Sequence, residues 1–170
     1  YYGKVGEAGE RSGVDAALKG YQARAALYDL ILFYLKHYAS PLINKRILEV
    51  GPGSGVFLLA LRELGITAEG LENNQELIKL ARGQGLTVIY GDIVSPPGAM
   101  VKQPYDITFS RNVLDVPIIK DKGVLTPEAH RAGIQMLQQL AMLTKPGGIS
   151  VHQIERGWPF SDIELTEAGF

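Results

Sequence analysis

The chain has 170 residues, 46% of them hydrophobic and 21% charged, with 17 basic against 18 acidic side chains and no cysteine. That composition suits one domain with a substantial core, excludes intrinsic disorder, and removes disulfides, thiol nucleophiles and cysteine–zinc sites. The net charge of −1 divides into +3 over residues 1–46 and −4 over the rest, a basic set too scattered for a phosphate backbone, so no nucleic-acid partner is expected. The longest apolar runs, 30–35 and 56–61, have six residues each, against the roughly 20 needed to cross a bilayer. No basic stretch leads into a long apolar core at the start of the chain, so neither a membrane span nor a signal peptide is expected, and the cytoplasm is the expected location.

Residues 1–19 carry four glycines and weak periodicity, and read as an arm or lid. From about Gly20 to Ser40, Leu27, Leu30, Ile31, Tyr34, Leu35 and Tyr38 recur at helical spacing, which predicts an amphipathic helix closed by Ser40-Pro41. After residue 44 short strands alternate with helices. Strands are predicted over 46–50, 67–72, 86–90, 106–110 and 149–154. Between the first two lie a glycine loop, Gly51–Gly55, and a helix over 56–64 stopped by Gly65. Asn73, with Glu76 three residues on, is the predicted cap of a helix ending at Gly83. The segment after Gly91-Asp92 reads as a loop broken by Pro96-Pro97. Thr126, Pro127 and Glu128 open a helix ending near Leu143, before Lys145-Pro146-Gly147-Gly148. Ser161 with Glu164 caps a last short helix ended by Gly169.

Alternation of this kind implies parallel βαβ units, hence an α/β fold with helices on both faces of a doubly wound sheet. In such sheets ligands sit beyond the carboxyl ends of the strands, so the residues just after each strand carry the function. The most specific of these segments is Glu49-Val50-Gly51-Pro52-Gly53-Ser54-Gly55. Its glycines let the backbone turn sharply and approach a ligand closely. A dinucleotide fingerprint would want Gly or Ala at position 56, where this chain has Val56, which argues against a nicotinamide-dependent oxidoreductase.

The segment resembles motif I of the class I S-adenosylmethionine-dependent methyltransferases, and the likeness continues in order through Gly70-Leu71-Glu72-Asn73, Gly91-Asp92-Ile93, the stretch from Tyr105 to Leu114, and Lys145-Pro146-Gly147-Gly148. It covers roughly residues 44–155. The resemblance implies a Rossmann-like, mostly parallel sheet of order 3-2-1-4-5, S-adenosylmethionine as cofactor, and methyl transfer to a small-molecule acceptor. It implies a cofactor site built from Glu49, Gly51, Gly53, Gly55, Glu72, Asn73, Asp92, Ile93, Ser110 and Asn112. There Glu72 would bind the ribose hydroxyls, Asp92 the adenine amino group and Ile93 the ring, with Glu49 near the ammonium of the amino-acid tail. Residues 1–43 are expected to form the arm and helix, and 44–170 the cofactor domain.

Methyl transfer from a sulfonium needs alignment and exclusion of water, and a base only where the acceptor arrives protonated. Asp115, His152 and Glu155 are the candidate bases. His37 reads as a surface or boundary residue of its helix, His130 as structural and Ser54 as loop geometry, and no histidine has metal-ligand spacing, so no metal is expected. The family usually adds strands six and seven, and both are missing before Phe170. Either the chain is a fragment, or residues are missing, or another chain covers the edge of strand five as in a homodimer. A methyltransferase-like binding subunit without turnover is the alternative function.

Overall fold

Ile47–Val50, four consecutive buried residues, form the first strand, β1, and place it at the centre of the sheet. A strand buried on both faces needs apolar side chains on both, which Ile47, Leu48 and Val50 supply. A computed structural model of the chain describes residues 42–114, 125–154 and 159–170, with the isolated positions 25, 29, 33 and 117. The expected arm, most of the helix over 20–40, and the candidate bases Asp115 and Glu155 lie outside the described residues.

The elements after β1 are α1 (Val56–Glu63), β2 (Ala68–Glu72), α2 (Gln75–Gly83), β3 (Val88–Tyr90), α3 (Gly98–Lys102), β4 (Tyr105–Arg111), α4 (Pro127–Leu143), β5 (Thr144–Gln153) and α5 (Asp162–Ala168). The sheet has the order β3-β2-β1-β4-β5 with every pairing parallel, as the resemblance implied. Register sets Val50 beside Leu71 on one side and Ser110 on the other, so the strand tips form one edge.

Alternation along the strands sends residues to two cores. On one face Phe57 and Leu61 of α1 pack on Ile47, Ile107, Phe109 and Ile149, with the Phe57 and Phe109 rings stacked at 4.6 Å. On the other, Met136, Leu137, Leu140 and Leu143 of α4 cover Leu48, Val50 and Leu71. Leu137 and Leu140 have no solvent exposure, and burying each is worth about 1.5–3 kcal/mol. The expected caps hold at α4, where Thr126 Oγ1 accepts from the Ala129 N–H at 3.1 Å, and at α5, where Ser161 and Glu164 bond reciprocally.

Three local expectations are corrected. The cap of α2 is Asn74, whose Oδ1 accepts from the Glu76 and Leu77 N–H groups; Asn73 is drawn away to Asp92. The loop after β3 contains a short helix, α3, which buries Met100. The strand predicted at 149–154 begins at Thr144: Tyr105 pairs with Thr144 and Ile107 with Ile149, so Lys145–Gly148 bulge out opposite Asp106, and Lys145 Nζ reaches Asp106 Oδ1 at 3.0 Å. No helix among the described residues is long and apolar enough to cross a membrane.

Candidate functional site

β1 ends at Val50, and the chain turns at Gly51, whose N–H donates to the Leu71 carbonyl at 2.9 Å. Gly51 has φ +68°, and a Cβ there would lie 2.6 Å from Val113 Cγ2; at Gly55, φ +82°, a Cβ would lie 2.3 Å from Leu86 Cδ1. Both positions demand glycine on backbone angle and on space. The turn thus runs close under the tips of β2 and β4.

Glu72, the last residue of β2, is buried and fixes the turn to its own strand. Its Oε2 accepts from the Gly53 N–H at 3.1 Å, and its Oε1 from the Asn73 and Asn74 N–H groups at 3.0 and 2.9 Å. Asp92, just after β3, accepts from Asn73 Nδ2 at 3.0 Å on Oδ2 and from the Val94 N–H at 3.1 Å on Oδ1. Asn73 therefore spaces two carboxylates on neighbouring strand tips. Asn112, beyond β4, stands at φ +54°, a left-handed conformation Asn tolerates better than most residues, with its N–H donating to the Gln153 carbonyl at 2.8 Å.

A cavity of about 250 Å³ opens between these tips. It is lined by six of the residues singled out from the sequence: Gly51, Glu72, Asn73, Asp92, Ile93 and Asn112. Gly53 and Gly55 belong to the turn that follows Gly51 and do not line the cavity. Val50, Leu71, Asn74, Leu77, Gly91, Val113 and Met136 also line it and were not named as site residues. For Leu77 and Met136 the only sequence signal was apolarity, which core positions share.

Glu49 and Ser110 lie behind the lining. Glu49 is 1% exposed, and its nearest counter-charge is Arg111 Nη2 at 4.0 Å. Burial pushes its carboxyl up to about 8; Arg111 opposes this and Glu72 adds to it.

His152, one of the candidate bases, stands in a chain of hydrogen bonds that fixes its tautomer. Thr144 Oγ1 donates to the Leu140 carbonyl at 2.7 Å, which uses its one hydrogen. The contacts Thr108–Thr144 (2.8 Å), Thr108–Ser150 (2.6 Å), Ser150–His152 Nε2 (2.7 Å) and Ser110–His152 Nδ1 (2.8 Å) must then all run the same way. His152 is left as the neutral Nε2–H form, its Nδ1 accepting from the Ser110 hydroxyl. Burial holds it down at about 4, so it stays neutral at pH 7. His130 Nε2 lies 3.1 Å from Glu164 Oε1, and its ring stacks on Phe160.

The sequence model of one family, "Methionine biosynthesis protein MetW", matches residues 38–126, just over half of the chain. The Ubiquinone biosynthesis O-methyltransferase of Proteus mirabilis is 28% identical over 124 residues, covering 70% of this chain and 45% of that protein. Among solved structures, S-adenosylmethionine-bound CalS10, an amino pentose methyltransferase from Micromonospora echinaspora, superimposes with a TM-score of 0.61 at 19% identity, over 88% of this chain and 58% of its own. The CcbJ methyltransferase of Streptomyces caelestis does so with a TM-score of 0.55 at 21% identity, over 76% and 47%. The fold is that of the class I methyltransferases, as expected. The chain spans less than half the length of the curated relatives it matches.

Proposed function

This chain belongs to the family of methionine biosynthesis protein MetW, and within it we propose an S-adenosylmethionine-dependent methyltransferase that acts on a small-molecule acceptor. The observation that carries the proposal is the pair of carboxylates, Glu72 and Asp92, held by Asn73 on adjacent strand tips over one cavity. The donor set fits an adenosine. Glu72, an acceptor fixed by three backbone N–H groups, keeps one lone-pair site, on Oε2, for a ribose hydroxyl, Asp92 faces the position of a base edge, and Ile93, Leu71 and Met136 give apolar contact for a ring. No lysine ends the glycine turn, which suits a ligand without a diphosphate.

When bound, the cofactor supplies a methyl group already activated by a sulfonium. The protein's part is then positioning: the Gly51–Gly55 turn holds the tail end, Glu72 and Asp92 hold the nucleoside end, and the apolar walls exclude water. Any proton that His152 took up would go to Nδ1, the nitrogen that accepts from the Ser110 hydroxyl. In this reading residues 44–170 form the cofactor domain.

Calorimetry with S-adenosylhomocysteine tests the reading. Micromolar binding that Glu72→Ala weakens more than tenfold supports it, and the absence of heat with either S-adenosylhomocysteine or S-adenosylmethionine overturns it. A methyl-transfer assay over an acceptor panel separates turnover from binding alone.

A further inference from the structure

Arg111 and Gln153 are the last paired residues of β4 and β5, and beyond them the Asn112 N–H donates to the Gln153 carbonyl at 2.8 Å. Asn112 is left-handed there, with φ +54°, and together with Val113 it forms part of the cavity wall. Val113 stands so close over the glycine turn that a Cβ at Gly51 would lie 2.6 Å from its Cγ2. A shift of this pair would either open the wall or press on the turn. Its two ends are held in the interior, by Ser110 at 0% exposure and Leu114 at 1%. Ser110, expected among the cofactor contacts, lies behind the lining and faces β5 instead. Its partner in register is His152, and its hydroxyl donates to Nδ1 of that ring at 2.8 Å. The other side of the ring is held as well, Nε2–H donating to Ser150 Oγ at 2.7 Å.

We propose that His152 is a positioning residue: by accepting from Ser110 it locks the tips of β4 and β5 together, and so sets where Asn112 and Val113 stand in the cavity wall. Neither Ser110 nor His152 touches the ligand, and the consequence for ligand binding rests on the function proposed above. A wall held by side chains whose own rotamers are fixed keeps its place better than one held by backbone pairing alone. The competing account of the same bonds is that they only satisfy polar groups in the interior. The two ring nitrogens separate these accounts. Asparagine puts an acceptor, Oδ1, where Nδ1 stands, and glutamine puts a donor, its amide nitrogen, where Nε2–H stands. Asparagine thus keeps the bond from Ser110, while glutamine keeps the bond to Ser150 and is nearer to histidine in size. If the ring only fills and satisfies the interior, glutamine serves at least as well. If it acts through Ser110, asparagine does.

The experiment measures amide hydrogen exchange of the ligand-free protein and calorimetry with S-adenosylhomocysteine on wild type, His152→Asn, His152→Gln and Ser110→Ala. In His152→Gln and Ser110→Ala, exchange of the Asn112 N–H should rise by about tenfold or more beyond any change at Leu48 in the central strand. The same two variants should bind S-adenosylhomocysteine about tenfold or more weakly, while His152→Asn stays within about twofold of wild type on both readouts. Ser110→Ala combined with His152→Gln should lose no more than either alone, because both remove the same bond. Ser110→Ala is the smaller change and carries the test if His152→Gln does not fold. The proposal is overturned if glutamine matches or exceeds asparagine, if Ser110→Ala is silent, if the losses in the double variant add, or if exchange at Asn112 rises only in step with Leu48. A wild type that binds no S-adenosylhomocysteine counts against the nucleoside reading instead, and exchange at Asn112 then decides the positioning role by itself.

Discussion

Gly53 and Glu72 are joined by a hydrogen bond of 3.1 Å that ties the turn after β1 to the tip of β2. The same carboxylate accepts from Asn73 and Asn74, so one side chain sets both the shape of the turn and the start of α2. Glu72→Gln places an amide donor against at least one of these N–H groups. We expect it to lower stability by about 1–3 kcal/mol, the cost of leaving a buried donor unsatisfied, and to weaken S-adenosylhomocysteine at least tenfold. Urea unfolding and calorimetry on one preparation separate the two effects. Unchanged binding with reduced stability would make Glu72 a strut and nothing more.

What the sequence makes readable here is whatever depends on local chemistry. Glycines with positive φ, caps of the Thr-Pro and Ser-x-x-Glu kind, and strands with their tips aligned all follow from residue type and order, and the tip residues Gly51, Glu72, Asp92 and Asn112 meet as that order requires. What failed depends on contacts distant in sequence. Asn73 and Asn74 are equal as caps, and only the reach of Asn73 to Asp92, 19 residues on, decides between them. The hydrogen bond from Ser110, 42 residues earlier, to Nδ1 of His152 is likewise invisible in the local sequence. Met136 sits on an apolar helix stripe whose use as cavity wall, not only as core, is set by where β1 and β2 end.

His152 gives the protein a sensitivity to acid. Its folded form titrates near 4 and a free imidazole near 6.5, so the unfolded chain takes up the proton first as the pH falls. The contribution of this ring is therefore complete above pH 6.5 and disappears between about 6.5 and 4, a loss of up to about 3 kcal/mol. His152→Asn, whose amide oxygen can still accept from Ser110, removes that titration. Denaturant unfolding at pH 7 and 4.5 should show a drop for the wild type beyond that of His152→Asn. Equal drops would place the ring in contact with water.

Gly133 and Gly83 offer a paired test of packing. Alanine is favoured over glycine inside a helix by about 1 kcal/mol, yet a Cβ at Gly133 in α4 would lie 2.6 Å from Cζ of the buried Phe160 ring. Overpacking of that kind costs about 1–3 kcal/mol, so Gly133→Ala should be net destabilising. Gly83, the last residue of α2, has nothing within 4 Å, and Gly83→Ala should be neutral or gain up to about 1 kcal/mol. Thermal melts of the two variants should move in opposite directions. A gain at Gly133 would mean that Phe160 can retreat, and with it the start of α5.

Glu49→Gln probes the buried acid without its proton. An unfolded Glu49 ionises near 4.5 and the folded one near 8, because burial outweighs the attraction of Arg111. Between those values the folded state holds a proton that the unfolded state has released, so stability from this residue is present below pH 4.5 and declines as the pH rises, levelling off above 8. Glutamine has nothing to ionise and nearly the same shape. The variant should therefore match the wild type near pH 5 and exceed it increasingly toward pH 8, by at least about 1 kcal/mol, the equivalent of a single pKa unit. Melting curves of the ligand-free proteins at pH 5, 6.5 and 8 measure the difference. If the gap closes or reverses as the pH rises, Glu49 is ionised and paired with Arg111 in the folded state.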